Sequence, residues 1–205
     1  MYKKDLYLRQ FIRESVLPDP VEYNSGKDFK VTDISSLSTY ARKDEKLSQN
    51  KYFIIHHTAD RMSPESVVRV LNARGLGVHW VVDRDGSIYM TLPAGARGAH
   101  MKNANMGPRD ATNATAQGVE VIASHDQDVN FTQALAVLKL VKHLGFSLSQ
   151  IFAHGEVNSH KSRSEGARIK SFLLQYFDKP FDEIEKAVAD VEEMLATPDS
   201  ILKVS

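Results

Sequence analysis

Lys51-Tyr-Phe-Ile-Ile-His-His57 is the stretch on which the fold turns. Four apolar or aromatic side chains run directly into two histidines, a pattern that suits a strand buried on both faces rather than one with a wet side. Because successive side chains on a strand point to opposite faces, His56 and His57 cannot easily serve one site, and only one of them is a candidate ligand. Downstream, Ser63-Pro64-Glu65 supplies a capping residue, a proline at the first helical position and an early acid, followed by Val67, Val68, Val70 and Leu71. The spacing predicts a helix that stops near Gly75 or Gly77. Val78-His-Trp-Val-Val82 and Ser87-Ile-Tyr-Met90 flank the turn-forming Asp83-Arg-Asp-Gly86, which predicts a hairpin.

From Pro93 to Gln117 the chain is rich in Gly, Ala, Asn and His and reads as irregular backbone; long loops in compact domains are often functional. Gly118-Val-Glu-Val-Ile122 is a further strand, and Thr132 to Leu144 a helix with Leu135, Leu138, Val141 and Leu144 on one face. Gln150-Ile-Phe-Ala153 is a strand ending at His154. Helices near Ala167–Phe177 and Asp182–Leu195 follow, the last with Ile184, Val188, Val191 and Leu195 on one stripe and an acidic outer face that reads as solvated. Upstream, residues 1–50 read as a short N-terminal helix and a long connecting segment. The organisation expected is therefore an N-terminal extension over 1–50, a main domain over 51–178 and an acidic amphipathic helix with its tail over 179–205.

Composition narrows the function. The 205 residues suffice for one sizeable core, and 26 Lys plus Arg against 26 Asp plus Glu leave no global positive field to gather nucleic acid or an anionic membrane. No nucleic-acid partner is expected. Cysteine is absent, which removes disulfide scaffolds, cysteine nucleophiles and thiolate metal sites together. The first thirty residues mix acids and bases without an apolar core segment, so the expectation is a soluble product made in the cytoplasm, without export signal or membrane insertion.

Three ionisable residues occupy places where burial is expensive: His56 ends one apolar strand, Glu120 lies between Val119 and Val121 inside another, and His154 ends a third. A buried carboxylate costs several kcal/mol unless a cation, a metal or hydrogen bonds offset it, so a buried Glu120 calls for something positive facing it. Residue by residue, plainer readings stand beside this one. A histidine at a strand end serves equally as a hydrogen-bonded structural residue, Glu120 on an edge strand would face water, His79 would pack beside Trp80, His100 would be an ordinary loop residue, and Lys161 and Arg163 surface cations.

Joint order adds weight. Ile-Ile-His56-His57-Thr58-Ala59, His79-Trp-Val-Val-Asp-Arg-Asp-Gly86, Gly98-Ala-His100 with Asn103 or Asn105, Gly118-Val-Glu120-Val and Ala153-His154 follow one another in a succession that resembles the zinc-dependent type 2 N-acetylmuramoyl-L-alanine amidases, over roughly residues 51 to 177. That family includes phage endolysins, bacterial cell-wall recycling amidases and animal peptidoglycan recognition proteins. The resemblance, more than periodicity, implies an α/β fold with a central mixed β-sheet flanked by helices and a groove at the strand ends. It implies zinc as cofactor, with His56 and His154 as ligands and Glu120 as the acid that assists the attacking water. His100 matches the loop histidine lining the substrate groove; Asn103, Asn105 and His79 are further substrate-side candidates. Lys161 or Arg163 would neutralise the oxyanion, and Val78 stands where the family often has tyrosine.

The pattern breaks after His154. The segment reads His154-Gly-Glu-Val-Asn-Ser-His-Lys161-Ser-Arg-Ser164-Glu-Gly166, and a gapless match puts Ser164 where the family has an aspartate or cysteine as third ligand. A serine hydroxyl is a poor zinc donor. Three readings follow: Ser164 coordinates weakly with water, a neighbour such as His160 or Glu165 replaces it, or the metal is lost and the protein binds without hydrolysing. The expected partner is peptidoglycan, as an endolysin substrate, or a soluble muropeptide in recycling, with the protein acting as a monomer.

Overall fold

The computed structural model describes residues 29–40, 45–101 and 104–196. The expected N-terminal helix and Asn103 lie outside these residues. Six strands form one sheet: β1 (Val31–Asp33), β2 (Tyr52–His57), β3 (Trp80–Val82), β4 (Ile88–Met90), β5 (Ala116–Val121) and β6 (Ile151–Ala153), in the order β1-β4-β3-β5-β2-β6. Only the β3–β4 hairpin is antiparallel; every other neighbouring pair is parallel, so the sheet is mixed. Five helices flank it: α1 (Pro64–Ala73), α2 (Phe131–His143), the single turn α3 (His154–Val157), α4 (Ala167–Tyr176) and α5 (Phe181–Ala196). None of the described helices is long and apolar enough to cross a membrane.

The apolar run at Tyr52–His57 is the second strand from one edge. Phe53 and Ile55 pass one face into the main core, with Val119 and Val121 of β5, Ile151 of β6 and the inward residues of α2, α4 and α5. Each such fully buried side chain contributes about 1.5–3 kcal/mol relative to exposure. Ile54 turns to the other face, packed with Met101, Ala111, Ala116 and Val157, while α1 covers Val81 through Val67 and Leu71. That second face carries His56, Glu120 and His154.

Local chemistry explains the boundaries. Ser63 Oγ accepts from the Ser66 N–H to start α1, and Asn130 and Gln133 form a reciprocal capping box at α2. Gln133 is fully buried because its amide also donates to the Ile122 carbonyl. β5 begins two residues before the predicted strand, and the polar Gln117 is tolerated there because its Oε1 accepts from Trp80 Nε1 at 2.8 Å. Residues 31–33, read from sequence as part of a connecting segment, instead pair with β4 at the sheet edge; a three-residue, half-exposed strand leaves no periodic signal. Lys46 bridges Ala96 and Glu45 pairs with Arg97, so this upstream segment is woven into the domain. The acidic helix α5 also packs inward, through Ile184 and Val188, and carries a Lys139–Glu185 ion pair at 2.6 Å.

Candidate metal centre

Strand register brings the two histidines together. β2 and β6 are parallel neighbours with Ile55 opposite Ala153, so the next residue of each chain, His56 and His154, emerges side by side on the same face. Each is 2% exposed, and their Nδ1 atoms are 2.8 Å apart. His57, on the opposite face, takes no part.

The third member is Glu165. Its Oε1 lies 2.7 Å from His154 Nδ1 and 3.5 Å from His56 Nδ1, and the three ligand atoms all fall within 4.8 Å of one another. Three mutually close donors on separate segments are what one ion with bonds of ~2.0–2.2 Å requires, and two imidazoles with a carboxylate are a zinc-type set. Ser164, the residue aligned with the third ligand, stands aside with its hydroxyl 2.7 Å from Ser162 Oγ. Of the three readings of that serine, the geometry is that of the neighbouring-donor one. His160, the other neighbour, is exposed and outside the cluster.

Glu165 is held by a corner that sequence gave no means of seeing. Asp126, buried in the turn after β5, accepts from Gly166 N–H at 3.1 Å and Arg168 N–H at 3.0 Å, fixing the entry to α4. Gly166 has φ +85°, and a Cβ there would meet the Ile55 carbonyl oxygen at 2.5 Å, so only glycine lets this corner lie against β2.

Beside the donors stands Glu120, in register with His56 on one side and Val81 on the other, hence on the same face. Glu120 Oε2 and His154 Nε2 are buried polar atoms without a hydrogen-bond partner among the described residues. The cations acting on Glu120 are Lys161, whose Nζ is 3.4 Å from Glu165 Oε2 and whose side chain is 43% exposed, and Arg74. A buried, ionised Glu165 with the unpartnered Glu120 Oε2 beside it suits an added cation.

Electrostatics separate these groups. Burial pushes the Glu120 carboxyl up to about 8, with the nearby Glu165 charge adding to the effect. Burial opposes ionisation of Glu165 too, but hydrogen bonds from His154 and His56 outweigh it and hold the carboxyl well below its usual range. Burial lowers His56 and His79 to about 4 and His100 well below the ordinary imidazole value.

A pH signature follows for metal-free protein. His56, His79 and His100 stay neutral while their unfolded counterparts protonate near 6.5, so stability is lost as pH falls below that point, and the ionised Glu165 adds a further loss below about 4.5. Glu120 acts in the other direction: it keeps its proton up to about 8 while the unfolded carboxyl ionises near 4.5, so stability is lost as pH rises. Between pH 6.5 and 8 the unfolded histidines shed protons that the folded ones never held, so their slope opposes that of Glu120. Thermal midpoints across this interval should rise more, or fall less, for Glu120→Gln than for the wild type; parallel curves for the two proteins would remove the buried-acid description.

Two substrate-side candidates have other work. His79 is fully buried, its Nε2 donating to the Ala96 carbonyl at 2.8 Å and its Nδ1 accepting from Gly118 N–H at 3.2 Å, which leaves no free edge for a ligand. This corrects its assignment to substrate contact. The Asn105 amide is occupied at both ends by Ser159, donating to Oγ and accepting from N–H at 2.8 Å each, and so clasps its loop to the segment after α3. His100 sits between: its Nδ1 is 3.1 Å from His56 Nε2. Asn113, which no sequence signal singled out, holds the His100 loop by accepting from the N–H groups of His100 and Met101 at 3.0 and 3.1 Å.

Known proteins share this fold. The family model described as N-acetylmuramoyl-L-alanine amidase matches residues 46–168, more than half of the chain. Comparison with curated protein sequences gives no match. Among solved structures, the chain is similar to the N-acetylmuramoyl-L-alanine amidase LysC from Clostridium intestinale URNW, with 22% identity over 70% of this chain and 97% of that one and a TM-score of 0.52. It is also similar to PGRP-SA of Apis mellifera, with 16% identity over 72% and 96% and a TM-score of 0.53. Drosophila Peptidoglycan Recognition Protein (PGRP)-SA gives 17% identity over 72% and 91% and a TM-score of 0.51. At these identities the likeness concerns the fold.

Proposed function

Since the chain belongs to the N-acetylmuramoyl-L-alanine amidase family, we propose that it hydrolyses the amide bond between N-acetylmuramic acid and L-alanine in peptidoglycan, using zinc held by His56, His154 and Glu165. The observation that carries this reading is the convergence of three buried donors beside a carboxyl, Glu120, that is not one of them and whose Oε2 has no hydrogen-bond partner among the described residues. A protein that only bound muropeptides would gain nothing from that acid.

Zinc, when bound, supplies Lewis-acid polarisation of the amide carbonyl and acidifies the attacking water. The protein's own groups do the rest. Glu120 in its ionised form, which an added cation in the site would favour, takes the proton from the water as its oxygen attacks the lactyl carbonyl carbon, then delivers it to the alanine nitrogen as the C–N bond breaks. The low-dielectric setting that raises its affinity for protons suits both halves of this exchange. Lys161, half-exposed at the rim and within reach of Glu165, faces the negative charge that develops on the carbonyl oxygen.

We further propose intact wall peptidoglycan as the substrate, in the manner of a phage endolysin made in the cytoplasm. The test is to strip the metal, restore zinc, and follow both the turbidity of purified sacculi and the release of peptide from a soluble muropeptide. Zinc-dependent clearing of sacculi is expected; cleavage of the soluble substrate alone would move the reading to recycling, and saturable muropeptide binding without product would replace hydrolysis by recognition.

A further inference from the structure

We propose that His100 is a positioning residue that fixes the tautomer of His56, so that the His56 Nδ1 lone pair is aimed at the meeting point of His154 and Glu165. The functional meaning rests on the metal reading above; the tautomer assignment does not.

The argument is one of donors and acceptors. A neutral imidazole has one N–H and one lone pair. His100 Nε2 lies 3.2 Å from the Ala116 carbonyl oxygen, which only accepts, so the His100 proton is on Nε2. Its Nδ1 is then an acceptor, and the atom facing it at 3.1 Å is His56 Nε2, which must carry its own proton there. His56 Nδ1 is left bare, 2.8 Å from His154 Nδ1 and 3.5 Å from Glu165 Oε1. The His154 proton on Nδ1, shared toward Glu165 at 2.7 Å, completes a consistent metal-free arrangement. In the opposite tautomer of His56, Nε2 and His100 Nδ1 would bring two lone pairs together, and a proton would occupy the space between the donors.

The relay is built into the backbone. The His100 ring lies over Gly118, where a Cβ would meet His100 Nδ1 at 2.6 Å, so the bare strand at that point is the ring's seat. Asn113 holds the His100 backbone at 3.0 Å. His79, edge-on to His100 with ring centroids 5.7 Å apart, has both nitrogens committed to Ala96 and Gly118 and offers His100 no competing partner. A ring bonded at both nitrogens has no free polar atom for substrate, which moves His100 from the groove lining to the support of a ligand.

Asparagine at 100 places Oδ1 where histidine has Nδ1 and retains the acceptor; leucine fills similar space without one. In 15N-labelled, metal-free protein, long-range proton–nitrogen spectra should show His56 as a single Nε2–H form in the wild type and in His100→Asn, and a populated Nδ1–H form in His100→Leu. Zinc affinity, measured by chelator competition, should fall by ~10–100-fold in His100→Leu, the usual cost of losing such a support, and stay close to wild type in His100→Asn. Should the leucine variant not fold, His100→Gln replaces it, keeping a polar group toward Ala116 while presenting a methylene to His56. An unchanged His56 tautomer in the variants lacking the acceptor, or equal zinc losses with and without it, would overturn the proposal. A wild type that shows the single tautomer yet binds no zinc would overturn the metal reading and leave this assignment standing.

Discussion

Glu165→Gln should cost the protein its metal, while Ser164→Ala should leave it in place. The two residues are adjacent, and alignment of the family pattern favours the serine, so the pair of variants separates geometry from alignment. Glutamine preserves the shape of the side chain but removes the anionic donor that lies 2.7 and 3.5 Å from the two imidazole Nδ1 atoms. Loss of a carboxylate that touches the ion directly is expected to exceed the ~10–100-fold that supporting residues cost. The serine hydroxyl is engaged with Ser162 and contributes no donor to the cluster, so its removal touches only a surface hydrogen bond. Zinc per protein chain after dialysis, with chelator competition for the affinity, measures both. Full zinc in Glu165→Gln together with loss in Ser164→Ala would reverse the assignment and return the serine to the centre.

Glu120→Gln should do the reverse, keeping zinc and losing turnover. Its carboxyl is on the donor face but is not one of the three converging groups, so metal content is expected to remain near wild type. Removal of a group that moves the proton both into and out of the reaction should lower kcat by roughly 10²–10⁴-fold. Muropeptide binding should persist, because the amide is nearly isosteric with the acid. Near-wild-type turnover in a zinc-loaded Glu120→Gln protein would take the proton-transfer role away from this residue.

Much of the sheet was legible because its strands are short apolar runs interrupted by turn chemistry. The run at Tyr52–His57, the Asp83–Gly86 turn and the cap at Ser63 each have a local cause, and local causes are what a single sequence displays. The edge strand at Val31–Asp33 had no such cause: it is three residues long, and its place depends on a partner, β4, more than fifty positions away. The helical turn at His154–Val157 is likewise too short for any periodicity. At the site, the histidines were visible as charges at the ends of apolar strands, whereas Asp126 and Asn113 act by accepting from backbone N–H groups of distant loops, and side chains of that type in loops carry no mark of such a task. His79 shows the same limit in the other direction. Its burial was inferable from Trp80 and Val81 beside it, but only coordinates show that both ring nitrogens are spent on main-chain groups.

Strand order also dictates how the chain must come together in time. β2 has no sequence neighbour in the sheet: its partners β5 and β6 begin at Ala116 and Ile151, so neither side of it can zip up from a hairpin. Closing loops of that span is an entropic toll levied before any contact rewards it, and topologies of this kind cross their barrier slowly. The β3–β4 hairpin and the helices are available early as local nuclei, whereas the two imidazoles become neighbours only once the last parallel strand has docked. The cluster of His56, His154 and Glu165 therefore cannot assemble on the ribosome until β6 and the corner at Gly166 have been synthesised.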